Sequence, residues 1–229
     1  MKLGKNLLIL FLLLCSYGIS QDTPKKEKTS SVLLYGNWSS TNRLLKVNEG
    51  LFGDSLGKRE DETKRNLWSF GLGIRSKLTE NLAWEGGIAY MQNGEEYAIE
   101  ELDTAFSYTT SYSYISMPIK LLYTYGNKVK LITGAGFVPQ MLVGYKQSQK
   151  WTDSDNVDGS AEITERKGLS TFVLSAVFDL GVEVRMAENW TFYIVPEYKL
   201  QLSNSFDEKN SFKHYGRSFG INVGIGIAL

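Results

Sequence analysis

Hydrophobic and polar residues alternate one for one over much of the chain. From Phe172 to Met186, the residues Phe172, Leu174, Ala176, Phe178, Leu180, Val182, Val184 and Met186 share one face, against Ser175, Asp179, Gly181, Glu183 and Arg185 on the other. The same pattern sets Phe219, Ile221, Val223, Ile225, Ile227 and Leu229 against Ser218, Gly220, Asn222, Gly224, Gly226 and Ala228. It recurs with Trp68, Phe70, Leu72 and Ile74 against Ser69, Gly71, Gly73, Arg75 and Lys77. Successive side chains of an extended chain point to opposite sides, so a period of two predicts strands. They fall near 31–41, 66–78, 81–92, 110–125, 128–145, 170–186, 190–202 and 216–229. Helical spacing is almost absent. In the first strand Val32, Leu34 and Trp38 compete with Leu33 and Tyr35 for the apolar face, which leaves its register open. Pro118, Pro139 and Pro196 each remove a ladder donor inside a predicted strand, and bulges or strand ends near a rim are the expected accommodation.

The connections form two classes. Thr79-Glu80, Gly126-Asn127 and Ala187-Glu188-Asn189 are tight turns, whereas 42–65, 93–109, 146–169 and 203–215 are long, polar and charged. Alternation of short and long connections is what a meander through a membrane produces, with short periplasmic turns at one end and extracellular loops at the other. The expected fold class is therefore all-β: an eight-stranded antiparallel up-and-down transmembrane β-barrel with four long extracellular loops. Glycine supports the choice of faces. Gly71, Gly73, Gly87, Gly134, Gly136, Gly144, Gly181, Gly220, Gly224 and Gly226 fall on the predicted inner face, and Gly86 is the clear exception. An eight-stranded barrel has barely enough interior for its side chains, so glycine belongs inside.

The same inner face collects the charges within the strands: Arg75, Lys77, Glu85, Lys120, Lys130, Asp179, Glu183, Arg185, Glu197 and Lys199. Facing lipid at mid-depth, a Lys or Arg would cost about 2–4 kcal/mol; inside, opposite charges pair. A salt-bridged polar core that blocks any wide pore is expected, with an ion path as the alternative. Aromatic residues near the strand ends match the two membrane interfaces, where amphipathic rings sit. Trp68, Tyr90, Tyr145 and Phe172 mark the outer one, and Trp84, Tyr123, Tyr125, Trp190 and Phe192 the inner one.

The N-terminus changes the picture of destination. Lys2 and Lys5, the apolar run Leu7 to Leu14, and the small residues Gly18 and Ser20 ahead of Gln21 read as an export signal. The run is too short to span a bilayer as a helix. The chain thus divides into a signal peptide at 1–20, a short periplasmic segment at 21–30 carrying the basic stretch Lys25 to Lys28, and a barrel at 31–229. Cys15 lies in the signal, where bulky Leu14 argues against lipoprotein processing, and the mature chain has no thiol for a disulfide or a metal. With 25 Lys and Arg against 25 Asp and Glu the formal charge is zero, so nucleic acid is not an expected partner.

Few residues suggest chemistry, and no enzymatic activity or cofactor is expected. Asp153, Asp155 and Asp158 before Gly159 resemble a calcium loop, but Val157 occupies a ligand position and no glutamate supplies the bidentate ligand. His214, the one histidine, could pair with Ser211 or Ser218 as base and nucleophile, in a polar loop without an orienting carboxylate motif. Glu95, Glu96, Glu100, Glu101 and Asp103 give the 93–109 loop an acidic run suited to a cationic partner or simply to solvation. Gly71-Leu72-Gly73 and Gly134-Ala135-Gly136 are not followed by helices and are not nucleotide loops. Gly36-Asn37-Trp38 echoes the Gly-x-Trp of lipocalins, soluble eight-stranded barrels that would turn Phe172, Leu174, Phe178 and Leu180 inward and need a helix after the barrel.

The segment Tyr114-Ile115-Ser116-Met117-Pro118-Ile119-Lys120-Leu121-Leu122-Tyr123, with the glycine-rich Thr133-Gly134-Ala135-Gly136-Phe137, resembles the PorT-like outer-membrane β-barrel domain family. Its aromatic-x-x-x-Pro-aliphatic-x-aliphatic strand is matched here. The resemblance implies a Gram-negative outer-membrane location and a barrel architecture, carries no shared catalytic residues, and includes a secretion role for some members. The expected role is structural or interaction, of binding or adhesion type, through the extracellular loops; the alternatives are a narrow ion or solute channel and a component associated with a secretion system. Partners expected of such a barrel are outer-membrane lipid and lipopolysaccharide, the barrel-assembly machinery, and an extracellular or secretion-system protein. Leu229 stands where that machinery usually reads an aromatic residue.

Overall fold

The computed structural model describes residues 29–47, 62–101, 104–206 and 212–229. The expected signal peptide with Cys15, most of the 21–30 segment, Asp103 and Ser211 lie outside the described residues. Ten strands form: β1 Ser30–Val47, β2 Thr63–Lys77, β3 Leu82–Glu101, β4 Thr104–Ser116, β5 Ile119–Gly126, β6 Val129–Thr152, β7 Asp158–Ile163, β8 Phe172–Arg185, β9 Trp190–Gln201 and β10 Phe212–Ala228. Every pairing is antiparallel, and the sheet closes because β1 pairs with both β2 and β10 while β2 pairs with β3. The result is an up-and-down barrel. Around it the order runs β1, β2, β3, then β4 and β5 in succession, β6, β8, β9 and β10. β7 pairs with β6 alone, beyond the end of β8.

The break between β4 and β5 comes from two prolines meeting at one place. The Gly87 N–H donates to the Pro118 carbonyl (3.1 Å) and the Met117 N–H to the Pro139 carbonyl (2.9 Å); neither proline can return the bond. The register on either side does not change: Ser116 faces Gln140 and Ile119 faces Phe137 on β6, while Ser116 faces Ala89 and Ile119 faces Gly86 on β3. Pro196 likewise sits inside β9 opposite Ile221. Pro139 and Pro196 therefore occupy strand interiors and Pro118 the break between β4 and β5, none of them at a rim, at the cost of single ladder bonds.

The tight turns lie where the alternation stops. Leu78 N–H donates to the Leu82 carbonyl and the Thr79 hydroxyl accepts from the Leu82 N–H; Gly126, at φ +119°, supplies a conformation that an L side chain rarely adopts; and Met186 bonds to Trp190. Two of the expected long loops are mostly strand. β3 runs to Glu101 and β4 starts at Thr104, and β6 continues to Thr152 before folding back as β7. Above a lipid belt the outer face of a strand meets water, so the apolar half of the alternation disappears and an extended strand reads as a polar loop. β10 likewise begins at Phe212, inside the segment expected to be loop.

The faces follow the alternation. Outward positions of β2, β5, β6, β8 and β10 expose Phe70, Leu72, Leu121, Leu131, Phe178 and Val223. In β1 the open register resolves with Val32, Leu34 and Trp38 outward and Leu33, Asn37, Ser39 and Thr41 buried inside. From the level of Ile74, Trp84, Tyr123 and Ile227 to that of Trp38, Trp68, Tyr90 and Phe219, the outward face carries no charged residue. A bulge between Ser113 and Tyr114 shifts β4 against β6, so that Tyr145 turns inward against Tyr112 and Gly144 comes to the Ser113 side, opposite to the faces expected for both.

The interior is narrow enough to need glycine at close approaches. A Cβ on Gly136 would stand 2.7 Å from Lys120 Cα and 2.9 Å from the Ile119 carbonyl carbon, which are backbone atoms with no room to yield. Gly136→Ala is expected to destabilise the barrel by about 1–3 kcal/mol through forced backbone displacement, read as a lower urea midpoint for the refolded protein; an unchanged midpoint would show that the β5–β6 approach is looser than described.

Candidate functional site

The axis of the barrel is the natural place for a pore or a ligand, and side chains fill it. In its middle, Lys120 on β5 reaches Asp179 at 2.9 Å, Glu197 at 3.0 Å and Glu85 at 3.8 Å. Arg75 on β2 pairs with Glu85 at 2.8 Å and with Glu183, and Lys199 approaches Glu197 at 3.5 Å. Asn222 donates to Glu197 and accepts from Asn37, which extends the network to β1 and β10. The Arg75 guanidinium also stands 5.5 Å from the centre of the Tyr193 ring, a cation–π distance. These groups come from seven strands, so the closed wall itself sets their geometry.

Apolar layers flank the Lys120 group on both sides, while Arg75 and Glu183 reach the space at the turn-bearing end. Leu33, Ala83, Leu122, Ile132, Tyr193 and Val195 pack towards the turn-bearing end, Ala89, Met91, Val138 and Val177 above. A third cluster of Tyr112, Tyr114, Leu142 and Val173 lies under the outer mouth. The space beside Tyr35, Lys120, Asp179 and Asn222 leaves about 10 Å³ for the centre of a water molecule, room for about one water. Of the ten inner-face charges expected from the sequence, Arg75, Glu85, Lys120, Asp179, Glu183, Glu197 and Lys199 come together here. Lys77, Lys130 and Arg185 do not; they lie at the end with the short turns, with Lys77 and Arg185 exposed and Lys130 half-buried.

At the other end a second buried cluster escaped the sequence reading. Arg43 on β1 pairs with Glu62 and, at 3.3 Å, with Glu95, while the Tyr108 hydroxyl donates to Glu62 and that of Tyr112 to Glu95. Glu95 is thus a buried ion-pair partner rather than part of a solvated acidic run, whereas Glu96 and Glu100 face water. Burial outweighs Arg43 and raises the Glu95 carboxyl to about 7. The signal was available only as the outward polar positions Lys64, Asn66 and Ser111, which imply that these strands rise above the belt.

His214 lies in β10 and not in a loop. Its ring stacks 5.1 Å from that of Tyr112 and lies tilted 5.3 Å from that of Phe206, and burial beside Arg43 lowers the imidazole to about 3. Among the described residues neither ring nitrogen has a hydrogen-bond partner. Ser218 is four residues along the same strand, roughly 13 Å away at the rise of a strand, so the suggested base–nucleophile pair with it does not form. The 203–206 segment covers the histidine: Ser205 N–H donates to the His214 carbonyl, and His214 N–H to the Asn204 side chain. Asp153 accepts from the N–H groups of Asp155 and Val157, and Asp158 accepts from Thr152, which makes this a turn braced by its own carboxylates. The described residues contain no grouping of three or more potential metal ligands.

The aromatic residues divide by height. Trp68, Tyr90 and Phe172 are exposed at the upper edge of the apolar belt, and Trp84, Tyr123, Tyr125 and Trp190 at the lower edge, with Phe192 half-buried. Trp38, opposite Trp68, joins the upper set; the ambiguous register of β1 had hidden it. Asp179 and Glu183 inside, with Phe172, Leu174, Phe178 and Leu180 outside, are the reverse of a lipocalin arrangement.

Similar solved structures include Neisserial surface protein A (13% identity, 87% of this chain and 97% of that one, TM-score 0.46). OprG of Pseudomonas aeruginosa (11% identity, 87% and 95%, TM-score 0.42) and Ail, the attachment invasion locus protein of Yersinia pestis (14% identity, 87% and 99%, TM-score 0.35), are similar as well. No curated protein matches the sequence. The model of a family described as the outer membrane protein beta-barrel domain matches residues 11–226. That match takes in nearly the whole chain and places it in the outer membrane, and the chain belongs to the outer membrane β-barrel domain family.

Proposed function

We propose that this protein is an eight-stave transmembrane barrel that works as an interaction protein at the cell surface, not as a conduit along its axis. The observation that carries the reading is the filled lumen: ion pairs around Lys120 lie between apolar layers, with room for about one water. The count of eight is supported by β4 and β5 sharing one place between β3 and β6, and by β7 pairing with β6 alone. What remains for function is the part above the belt, where β3, β4, β6 and β7 continue as a sheet whose outermost strand has one hydrogen-bonding edge without a ladder partner among the described residues. Such an edge can pair with another extended chain. Outward Lys64, Lys150 and Lys213 above the belt suit the phosphates of lipopolysaccharide. Export by the 1–20 signal, insertion by the barrel-assembly machinery and kinship with PorT-like barrels complete the reading.

Planar-bilayer recording tests it. Purified protein inserted into a bilayer is expected to give no reproducible unitary steps; discrete steps that Lys120→Met alters would establish the axial channel instead.

A further inference from the structure

The charges left out of the central network form a site of their own. Lys77 closes β2, Lys130 is the second residue of β6 and Arg185 closes β8, all on inner-face positions, and Lys130 lies within Coulombic range of Glu183, its partner across the ladder, and of Lys77, Arg185 and Arg75. Among the described residues none of Lys77, Lys130 and Arg185 makes an ion pair, and the nearby carboxylate, Glu183, is already held by Arg75. A vestibule of about 60 Å³ for the centres of water molecules opens between Lys77 and Lys130, room for about four waters, and Arg75, Glu183, Ser31, Thr124 and Thr191 also line it, with Arg185 near Lys130 outside the lining. Like charges this close repel, and Lys130 is half-buried among them. A concave cationic site lined with hydroxyl groups has the composition and the size to take one tetrahedral anion.

We infer that the vestibule at the turn-bearing end of the barrel is a binding site for a phosphate-class oxyanion, held by Lys77 and Lys130, with Arg185 adding to the positive field beside them. The site does not depend on whether the axis conducts, because the Lys120 network and its apolar layers separate it from the outer mouth. The phosphate could be a free ion or the headgroup of a lipid in the adjoining leaflet, since the vestibule opens at membrane level beside Trp84 and Trp190.

The test uses the full mature chain in maltoside micelles, which contain no phosphate. Sodium phosphate is titrated against sodium chloride at matched ionic strength while the backbone amide signals of Ser31, Lys77, Thr124 and Thr191 are followed, and short-chain phosphatidylglycerol is titrated separately. Saturable shifts confined to these residues are expected with phosphate and not with chloride. Lys130→Gln is expected to weaken the apparent affinity about tenfold, the loss of one charge-assisted bond. Lys77→Gln, at an exposed rim position, should act in the same direction and keeps the test available if the Lys130 variant does not fold. A response to inorganic phosphate assigns the site to the free ion, and a response to the lipid alone assigns it to the headgroup; no saturable response to either, or equal affinity in both variants and wild type, overturns the assignment.

Discussion

Lys120→Met is expected to remove about 3–5 kcal/mol of folding stability, the usual consequence of deleting one partner from a buried charge cluster. Methionine preserves most of the apolar stem, so the loss is electrostatic rather than a cavity. Asp179 and Glu197 would lose the ammonium group 2.9 and 3.0 Å away, and Glu85 the same group at 3.8 Å. Lys199 could still approach Glu197, and Arg75 could hold Glu85, so Asp179 bears the largest loss. Urea titration of the protein refolded into neutral vesicles, with heat-modifiable gel migration as the readout of folded barrel, measures the change. Adding Asp179→Asn and Glu197→Gln to Lys120→Met should restore much of it, because the three groups form one coupled unit. Lys77→Met, which touches none of them, is expected to stay within about 0.5 kcal/mol of wild type. If Lys120→Met behaved like Lys77→Met, the central network would contribute nothing as a unit.

Much of this network was legible in the sequence because alternation assigns a face to every residue of a strand buried on one side. Glu85, Asp179, Glu183 and Glu197 were placed inside by parity alone. What parity cannot supply is height. It left Lys77, Lys130 and Arg185 in the same set as Lys120, although they lie at the mouth, where there is no opposing carboxylate to spare. It also failed wherever the surroundings change along a strand. The upper part of β3, with Glu95 buried and Glu96 exposed, has water outside instead of lipid, so its pattern resembles a loop. A bulge reverses faces without any mark in composition, which is why Tyr145 was assigned to the wrong side. The prolines pointed to bulges or strand ends near a rim: Pro118 does fall between β4 and β5, though in mid-wall, while Pro139 lies inside β6, and a barrel paired on both sides tolerates these isolated missing bonds without losing register.

The belt gives the second large effect. Val223 lies outward in β10, opposite Gly36 of β1 and Ile194 of β9, about midway between Ile227 at the lower edge and Phe219 at the upper. In hydrocarbon an arginine at this depth is expected to cost about 2–4 kcal/mol, and near the interfaces about 0–1 kcal/mol. Val223→Arg should therefore lower the stability of the vesicle-folded barrel by that larger amount, while Asn66→Arg, on the outward face of β2 above Trp68, should leave it nearly unchanged. The contrast with a water-exposed wall is one of sign. On a protein folded in water, an arginine replacing an exposed valine would be neutral or would improve solubility, because it removes apolar area from contact with solvent. Equilibrium urea unfolding in phospholipid vesicles separates the two cases, and equal costs for Val223→Arg and Asn66→Arg would mean that the uncharged band is not a lipid-facing one. The depth dependence also sets the height of the vestibule: an arginine scan down the outward positions of β10, from Phe219 through Val223 to Ile227, should trace a cost that rises and then falls, and the position where it falls marks the leaflet beside Lys77 and Lys130.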